Sequence, residues 1–508
     1  MGFNSFTFIL LFLPILLAGW HILNRIHRYT VADGFLTLMS LYFYYTFGVS
    51  FLLVLIISLS VNYLLSFIMT KTADQGRLKA LKIIGVLFNL GLLFYFKYLG
   101  FFIDNINAVS GAEISVKEIL MPIGISFFTF GQISFIVDRA NGEAEHYPVL
   151  QYILYTVYFP KLIQGPIAFH KEMIDQFRDE ELRKYNPDTF ARGMMSFIIG
   201  LSKKVLLADT LARVANYGFK YTFYMDTLTV IAVMLAYTFQ IYLDFSGYCD
   251  MANGVSLMLG YELPVNFNSP YKASSAKELW QRWHMTLSRF FIKYVYIPLG
   301  GSRKGKALTI INVLIVFVLS GLWHGAGWTY ICWGLMQGLL VVWDDLGIVG
   351  VRDGLETTGR KKRYLLREKP FFTVPRAVGN AMTFFMFVVS LVFFRSENLE
   401  YAFGMFKRAF FWTYPGFLTR TAGQLEIAEN YVARQMFTRL GIGSADTVFI
   451  ITMIAYILIS AFVMTRKNTQ EIIKNATFNK KTVAVYTILF ILSFISLSNV
   501  STFIYFKF

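Results

Sequence analysis

Cysteine is almost missing from this 508-residue chain: Cys249 and Cys332 are the only two, and both fall in or beside apolar segments. A disulfide framework and a cysteine-rich zinc site are thereby excluded, and no metal centre is expected. Charge is scarce as well, with Asp, Glu, Lys and Arg making up 15% of residues, which excludes an ordinary soluble domain. Gly-rich or Pro-rich linkers, low-complexity tracts and internal repeats are lacking, so residues 1–508 read as one transmembrane domain. The chain carries no P-loop or dinucleotide fingerprint, and Phe6 stands where N-myristoylation would need Ser or Thr.

What is present is apolar: 56% of residues are hydrophobic and 18% aromatic. Runs such as "IIGVLFNLGLLFYFKYLGFF" (83–102) and "TVFIITMIAYILISAFVM" recur from end to end. They predict an all-α polytopic integral membrane protein of roughly ten to twelve transmembrane helices, with re-entrant and interfacial helices around a central tunnel. The first apolar stretch lacks a basic head and a small-residue cleavage site and reads as a retained helix rather than a signal peptide.

The net charge of +16 would suit nucleic acid if the cations were gathered on a soluble domain, but they sit in short loops. Loops 21–29, 71–82, 272–294 with 300–306, 359–369 and 465–481 carry the Lys/Arg excess of the cytoplasmic face, which leaves both termini outside. Between 121 and 271 the apolar segments are interrupted by Pro122, Pro160, Gly165, Pro166 and Gly247, a pattern of re-entrant or broken helices. Residues 397–447 include "NLEYAFGMFKRAF", whose helical spacing predicts an amphipathic segment on the outer interface.

One stretch, "SGLWHGAGWTYICWG" (320–334), places a histidine inside an oily hairpin. Lys304 to Lys306 precede it and Arg360 to Arg363 follow it, so the chain leaves and returns to the same face. From Leu308 to Trp323 there are 16 residues. A helix of that length reaches roughly 24 Å, short of an apolar core of about 30 Å, so the turn is expected within the membrane. Gly325 and Gly327 suit such a turn through positive φ and close helix approach, and His324 would sit at the floor of a pocket open to the outer side. Buried polar groups in membranes mark pathways or reaction centres; the alternative is a core histidine bonded to a neighbouring helix.

His284 lies in "ELWQRWHMTLSRFFIKYVYIPLGGSRKGK" beside Trp283, Thr286 and Ser288. This aromatic and basic mixture describes an interfacial segment, in which packing and chemistry are equally open roles for His284. Asp244 and Asp250 are costly in an apolar segment unless paired; they would orient an imidazole or line the pocket, or Asp250 would cap the helix that follows it.

In order along the chain, "PIGISFFTFGQISFIVDRANGE" (122–143), "FPKLIQGPI" (159–167), "DFSGYCDMANGVSLMLGYELPVNFNSPY" (244–271), "LWQRWHMTLSRFFIKYVYIPLGG" and "SGLWHGAGWTYICWG" resemble the signature blocks of the membrane-bound O-acyltransferases. The likeness is to the bacterial branch that includes the alginate O-acetyltransferase membrane subunit, with a core signature over about 120–345. The resemblance implies transfer of an acyl group, most often acetyl, to hydroxyls of a cell-envelope polysaccharide such as alginate, peptidoglycan or another exopolysaccharide, at the cytoplasmic membrane. It carries the reaction-centre histidine onto His324 and the second signature histidine onto His284.

In that reading His324 is the general base. His284, or a backbone N–H of the glycine turn, polarises the thioester carbonyl, and Trp323, Trp328 and Trp333 wall out water. Trp283, Ser288, Gly325, Asp244, Asp250 and Gln337 line the pocket. Two departures stand out: Ile292-Lys293 replaces an Arg-Asp pair, which weakens any ion pair in that loop, and Gln337 occupies the place of a further histidine, as its hydrogen-bonding substitute or because that histidine is dispensable.

No bound cofactor is implied. The donor would be acetyl-CoA or an acyl carrier protein, drawn to the basic segment 272–306, although anionic lipid head groups would account for the same charges. The expected partner is an extracytoplasmic protein of the SGNH-hydrolase type. Alternatives are D-alanyl transfer to teichoic acid, a covalent relay through Cys249 or Cys332, a transporter or flippase of acyl or glycan intermediates, and a non-catalytic scaffold.

Overall fold

The computed structural model describes every residue except 116, 118, 353–363, 366, 413–415, 427–430, 432–434, 438, 442–444, 500–502 and 504–508. The fold is helical throughout; the only sheet among the described residues is a short parallel pair, Val349–Val351 with Phe372–Val374. Among the described residues, seven helices are long and apolar enough to cross a bilayer: Phe8–Arg25, Val49–Thr70, Gln75–Ser110, Thr227–Met258, Lys306–His324, Arg376–Arg395 and Asp446–Thr465. That is fewer than the ten to twelve crossings read from the apolar runs. Several runs instead form helices of 16 or 17 residues, such as Tyr29–Tyr45, Pro187–Ser202 and Lys480–Ile495, and Trp328–Leu346 ends in two aspartates. Large apolar side chains such as Leu10, Ile22, Leu38, Leu87, Phe385 and Leu458 lie exposed, a surface costly in water and ordinary in lipid. The protein is a multi-pass membrane protein.

The 32-residue helix Thr227–Met258 is the axle of the fold. Its first turn is capped by Asp226, whose carboxylate accepts the Thr229 N–H at 2.9 Å. Helix Pro187–Ser202 runs antiparallel against it so closely that a Cβ at Gly200 would meet the Gly247 carbonyl oxygen at 2.5 Å, and one at Gly254 would meet that of Gly193 at 2.6 Å. Small residues permit this contact between helix backbones, the usual solution where lipid supplies no hydrophobic drive. The expected break at Gly247 is therefore absent: the glycine serves a seam and the helix passes straight through it.

Breaks do occur further upstream. Residues 149 to 178 fold as three short pieces, Val149–Val157, Phe159–Leu162 and His170–Arg178, with Pro160 and the Gly165-Pro166 turn between or within them. Downstream, Leu399–Arg408 forms the predicted amphipathic helix, capped by Asn398 and burying Ala402 and Met405. Part of that 397–447 segment lies outside the described residues, as do Arg360 to Arg363 of the basic flank. Four helices contain a π-helical turn among the described residues: Phe8–Phe12, Phe94–Tyr98, Lys203–Ala208 and Ile292–Tyr296.

Candidate active site

The hairpin expected from the sequence is present, built from Lys306–His324 and Trp328–Leu346. Its arms touch through glycine: a Cβ on Gly321 would meet the Tyr330 carbonyl oxygen at 2.2 Å, and one on Gly334 that of Phe317 at 2.4 Å. The first arm has 19 residues rather than 16. At about 28 Å it nearly matches the apolar core, so packing by neighbours, more than a short arm, buries its end. The turn also differs from expectation: Gly325 and Gly327 are extended, with φ of −167° and −174°. Glycine is needed at 325 because a side chain there would strike the Tyr330 ring at 2.1 Å.

A helix whose end is buried leaves its last carbonyls in need of partners. Here two residues of the π-helical turn Phe94–Tyr98 supply them. Tyr98 donates to the Leu322 carbonyl at 2.9 Å; the Lys97 ammonium donates to the Trp323 carbonyl and, at 3.4 Å, to that of His324. Lys97 also reaches Ser126 Oγ at 3.3 Å. A cation at a helix C-terminus further complements the macrodipole. Lys97 and Tyr98 were not singled out from the sequence, although Lys97 is the single charge in the run 83–102.

His324 is 1% exposed, and its ring packs against Trp323, Trp333 and Phe394 at centroid distances of 4.9, 5.2 and 5.1 Å. Trp323 is held in turn by Phe127 and Phe130. The indole N–H groups of Trp323 and Trp333 are buried without a hydrogen-bond acceptor among the described residues.

His284 is fully buried, not on a surface helix: it joins the short helices Ala276–Trp280 and Met285–Phe291 with a left-handed φ of 45°. A residue with a Cβ adopts that conformation at a cost of roughly 1–2 kcal/mol, a strain that clusters at functional sites. The His284 ring lies 6.3 Å from that of His324 and 5.7 Å from that of Trp323, centroid to centroid. Its Nδ1 is 3.1 Å from Asn266 Oδ1. Three of the signature blocks meet here: Ile167 N–H donates to Thr286 Oγ1 at 3.0 Å, and Met285 N–H to the Asn266 carbonyl at 3.0 Å.

Other expected site residues are placed differently. Trp328 is 55% exposed and donates its indole N–H to Asn105 at 2.9 Å, so it walls nothing. Ser288 turns its hydroxyl toward the Trp280 carbonyl at 3.4 Å. Trp283 packs among Tyr242, Phe267, Tyr271 and Phe387, behind His284. Gln337 bolts the layer behind His324, accepting from Trp280 Nε1 at 3.1 Å and donating to Ser390 Oγ at 2.7 Å. The turn's backbone cannot serve as an oxyanion donor through its glycines, since Gly325 N–H bonds Gly321 and Gly327 N–H bonds Gly325.

Asp244 pairs with Lys204 at 2.6 Å, and the same buried ammonium pairs with Asp209 at 2.8 Å. Asp250 pairs with Lys203 at 2.7 Å and accepts from Thr469 at 2.7 Å, lining a small cavity with Cys249 and Asn266. It caps no helix, because Thr227–Met258 continues past it. The basic segment is partly neutralised: Lys277 pairs with Asp345, Arg282 with Glu278 and Arg289 with Glu172. Lys293 pairs with Asp138 at 2.9 Å and Glu143 at 2.8 Å, so this loop keeps an ion pair despite its departure from the Arg-Asp pattern.

Exchanging Lys97 for methionine is expected to lower activity by up to about 100-fold with the protein still inserted, because misplacing a reacting group by about 1 Å can cost that much. Lys97→Arg, which keeps the charge and donors, should retain most of it. Turnover per inserted molecule is the measurement; full activity in the methionine variant would show the cap to be dispensable.

Residues 113–353 match the model of the membrane-bound O-acyltransferase family. The chain is 36% identical over 431 residues to the peptidoglycan O-acetyltransferase of Helicobacter pylori, covering 80% of this chain and 79% of the relative. It is 37% identical over 426 residues to a probable alginate O-acetylase of Pseudomonas syringae pv. tomato, covering 81% and 75%. A teichoic acid D-alanyltransferase of Streptococcus thermophilus is 25% identical over 293 residues, covering 55% and 69%.

Proposed function

This chain belongs to the membrane-bound O-acyltransferase family, and from that premise we propose that it moves an acetyl group from a cytoplasmic thioester to hydroxyls of a cell-envelope polysaccharide. The observation that carries the reading is the pair of fully buried imidazoles, 6.3 Å apart by centroid, enclosed by Trp323 and Trp333 inside a membrane protein. His324 takes the hydroxyl proton as the oxygen attacks the thioester carbonyl carbon; the C–S bond then breaks and the thiolate leaves with that proton. Indole nitrogens are donors only, so the buried N–H groups of Trp323 and Trp333 are available to the oxyanion.

Acetyl-CoA or an acyl carrier protein is the donor we favour, approaching from the cytoplasmic face of the cytoplasmic membrane, with an SGNH-type protein outside as the onward carrier. The names of the relatives that match most of this chain support acetyl and a polysaccharide; D-alanyl transfer draws support from shorter matches at lower identity. Mass spectrometry of alkali-labile esters on envelope glycans, in a deletion strain and its complemented parent, tests this. Acetyl esters should vanish on deletion and return on complementation; unchanged acetyl with loss of D-alanine would overturn it.

A further inference from the structure

Asn266 Oδ1 stands at the centre of a hydrogen-bond cluster whose polarity is fully determined. It lies 3.3 Å from the Thr286 backbone nitrogen, 2.9 Å from Thr286 Oγ1 and 3.1 Å from His284 Nδ1. A backbone N–H can only donate, so the Asn266 atom facing it is the amide oxygen and not the amide nitrogen. An amide oxygen can only accept, so His284 Nδ1 carries a hydrogen. The Thr286 hydroxyl is fixed by the same logic: it accepts the Ile167 N–H at 3.0 Å, and its own hydrogen goes to Asn266. The Asn266 amide nitrogen donates to Cys249 Sγ at 3.5 Å.

Neutral His284 therefore holds its lone pair at Nε2, and that atom is buried with no hydrogen-bond partner among the described residues. A lone pair cannot donate to an oxyanion, which removes His284 from the polarising role suggested by the sequence. We propose that Asn266 is a positioning residue: it fixes His284 as an Nε2 acceptor for the imidazolium N–H formed when His324 takes the hydroxyl proton, directly or across one water. The chain of contacts then runs hydroxyl, His324, His284, Asn266, the order of nucleophile, base and orienting groups. This rests on the proposed acyl transfer. Asn266 grips the backbone too, since its carbonyl accepts the Met285 N–H that follows the strained His284.

The test uses the full chain, ¹⁵N-labelled at histidine and held in lipid nanodiscs, with the His284 signals assigned by their loss in His284→Gln. A neutral ring protonated at Nδ1 is expected, retained in Asn266→Asp and lost in Asn266→Leu. In cells, alkali-released envelope acetate per inserted molecule should fall roughly 10- to 100-fold in Asn266→Leu, the range known for removing the outer partner of a metal-ligating imidazole, and stay within a few-fold in Asn266→Asp. A wild-type ring protonated at Nε2, an Asn266→Leu protein of full activity, or an Asn266→Asp protein as inactive as Asn266→Leu would overturn the assignment. The tautomer readout needs no turnover, so an Nδ1-protonated ring in a chain that transfers no acetyl would uphold the positioning and sink the acetyl-transfer reading.

Discussion

Replacing His324 with alanine should lower ester-linked acetate on the envelope by about 10²- to 10⁴-fold, the range for loss of a positioned general base. The geometry makes the prediction specific. The ring is enclosed by Trp323, Trp333 and Phe394, and its backbone end is pinned by Lys97, so nothing else in that wall can take the proton from the same place. Alanine also leaves a hole, so His324→Phe is the companion variant: it refills the space and should be equally inactive. Normal acetate in either variant, with the protein present in the membrane, would end the catalytic assignment. Purified protein in liposomes separates an enzyme from a transporter, because only acyl transfer releases free thiol from acetyl-CoA in step with ester formation.

The second large effect is on stability. Lys204→Met is expected to cost about 3–5 kcal/mol, the penalty of leaving buried charge uncompensated. The Lys204 ammonium is inaccessible, sits between Asp244 and Asp209, and lies 4.4 Å from the centroid of the Phe503 ring. Removing it takes from two carboxylates the buried cation they share, and the yield of inserted, monodisperse protein and its unfolding temperature should both drop. Replacing all three by apolar residues of similar size should recover most of that loss, since a buried ion network often contributes little against a well-packed apolar one. A lysine variant as stable as the parent would show that the aspartates already have sufficient partners. Recovery of acetyl transfer in the triple variant would further separate Asp244 from the chemistry.

What could be read from the sequence follows from what the bilayer demands. Apolar runs must become helices because lipid offers backbone groups no partner, and a histidine between two such runs has to be buried in protein. The hairpin that carries His324 was therefore legible; the burial of His284 was not, because its aromatic and basic neighbours read as an interfacial segment. The misreadings share a cause. Glycine in a sequence signals either a turn or a close approach, and at Gly247, Gly325 and Gly327 only three-dimensional packing distinguishes them. Asp250 before "MANGVSLMLG" looks like a cap because sequence cannot show that the preceding helix continues through it. Trp328 sits four residues from His324, yet at the start of the second arm its indole turns to Asn105. Asn266 gave no signal, since an asparagine near Pro264 and Pro270 reads as ordinary loop chemistry. Lys97 did give one, a lone charge in an apolar run, and its partner lies 226 residues away in sequence.

The π-helical turns make chain length itself part of the mechanism. Phe94–Tyr98 carries Lys97, Lys203–Ala208 carries Lys203 and Lys204, and Ile292–Tyr296 carries Lys293, so three of the four widened turns deliver the cations that tie the fold together. Each such turn accommodates one residue more than an α-helix would. Deleting one residue there would relax the helix to regular geometry while rotating everything beyond it by about 100° and drawing it back about 1.5 Å. Lys97 and Asn105, which grip opposite ends of the His324 turn from one continuous rod, would then fall out of phase with each other. Variation among relatives should accordingly tolerate exchange of residue type in these turns far more readily than any change in their number.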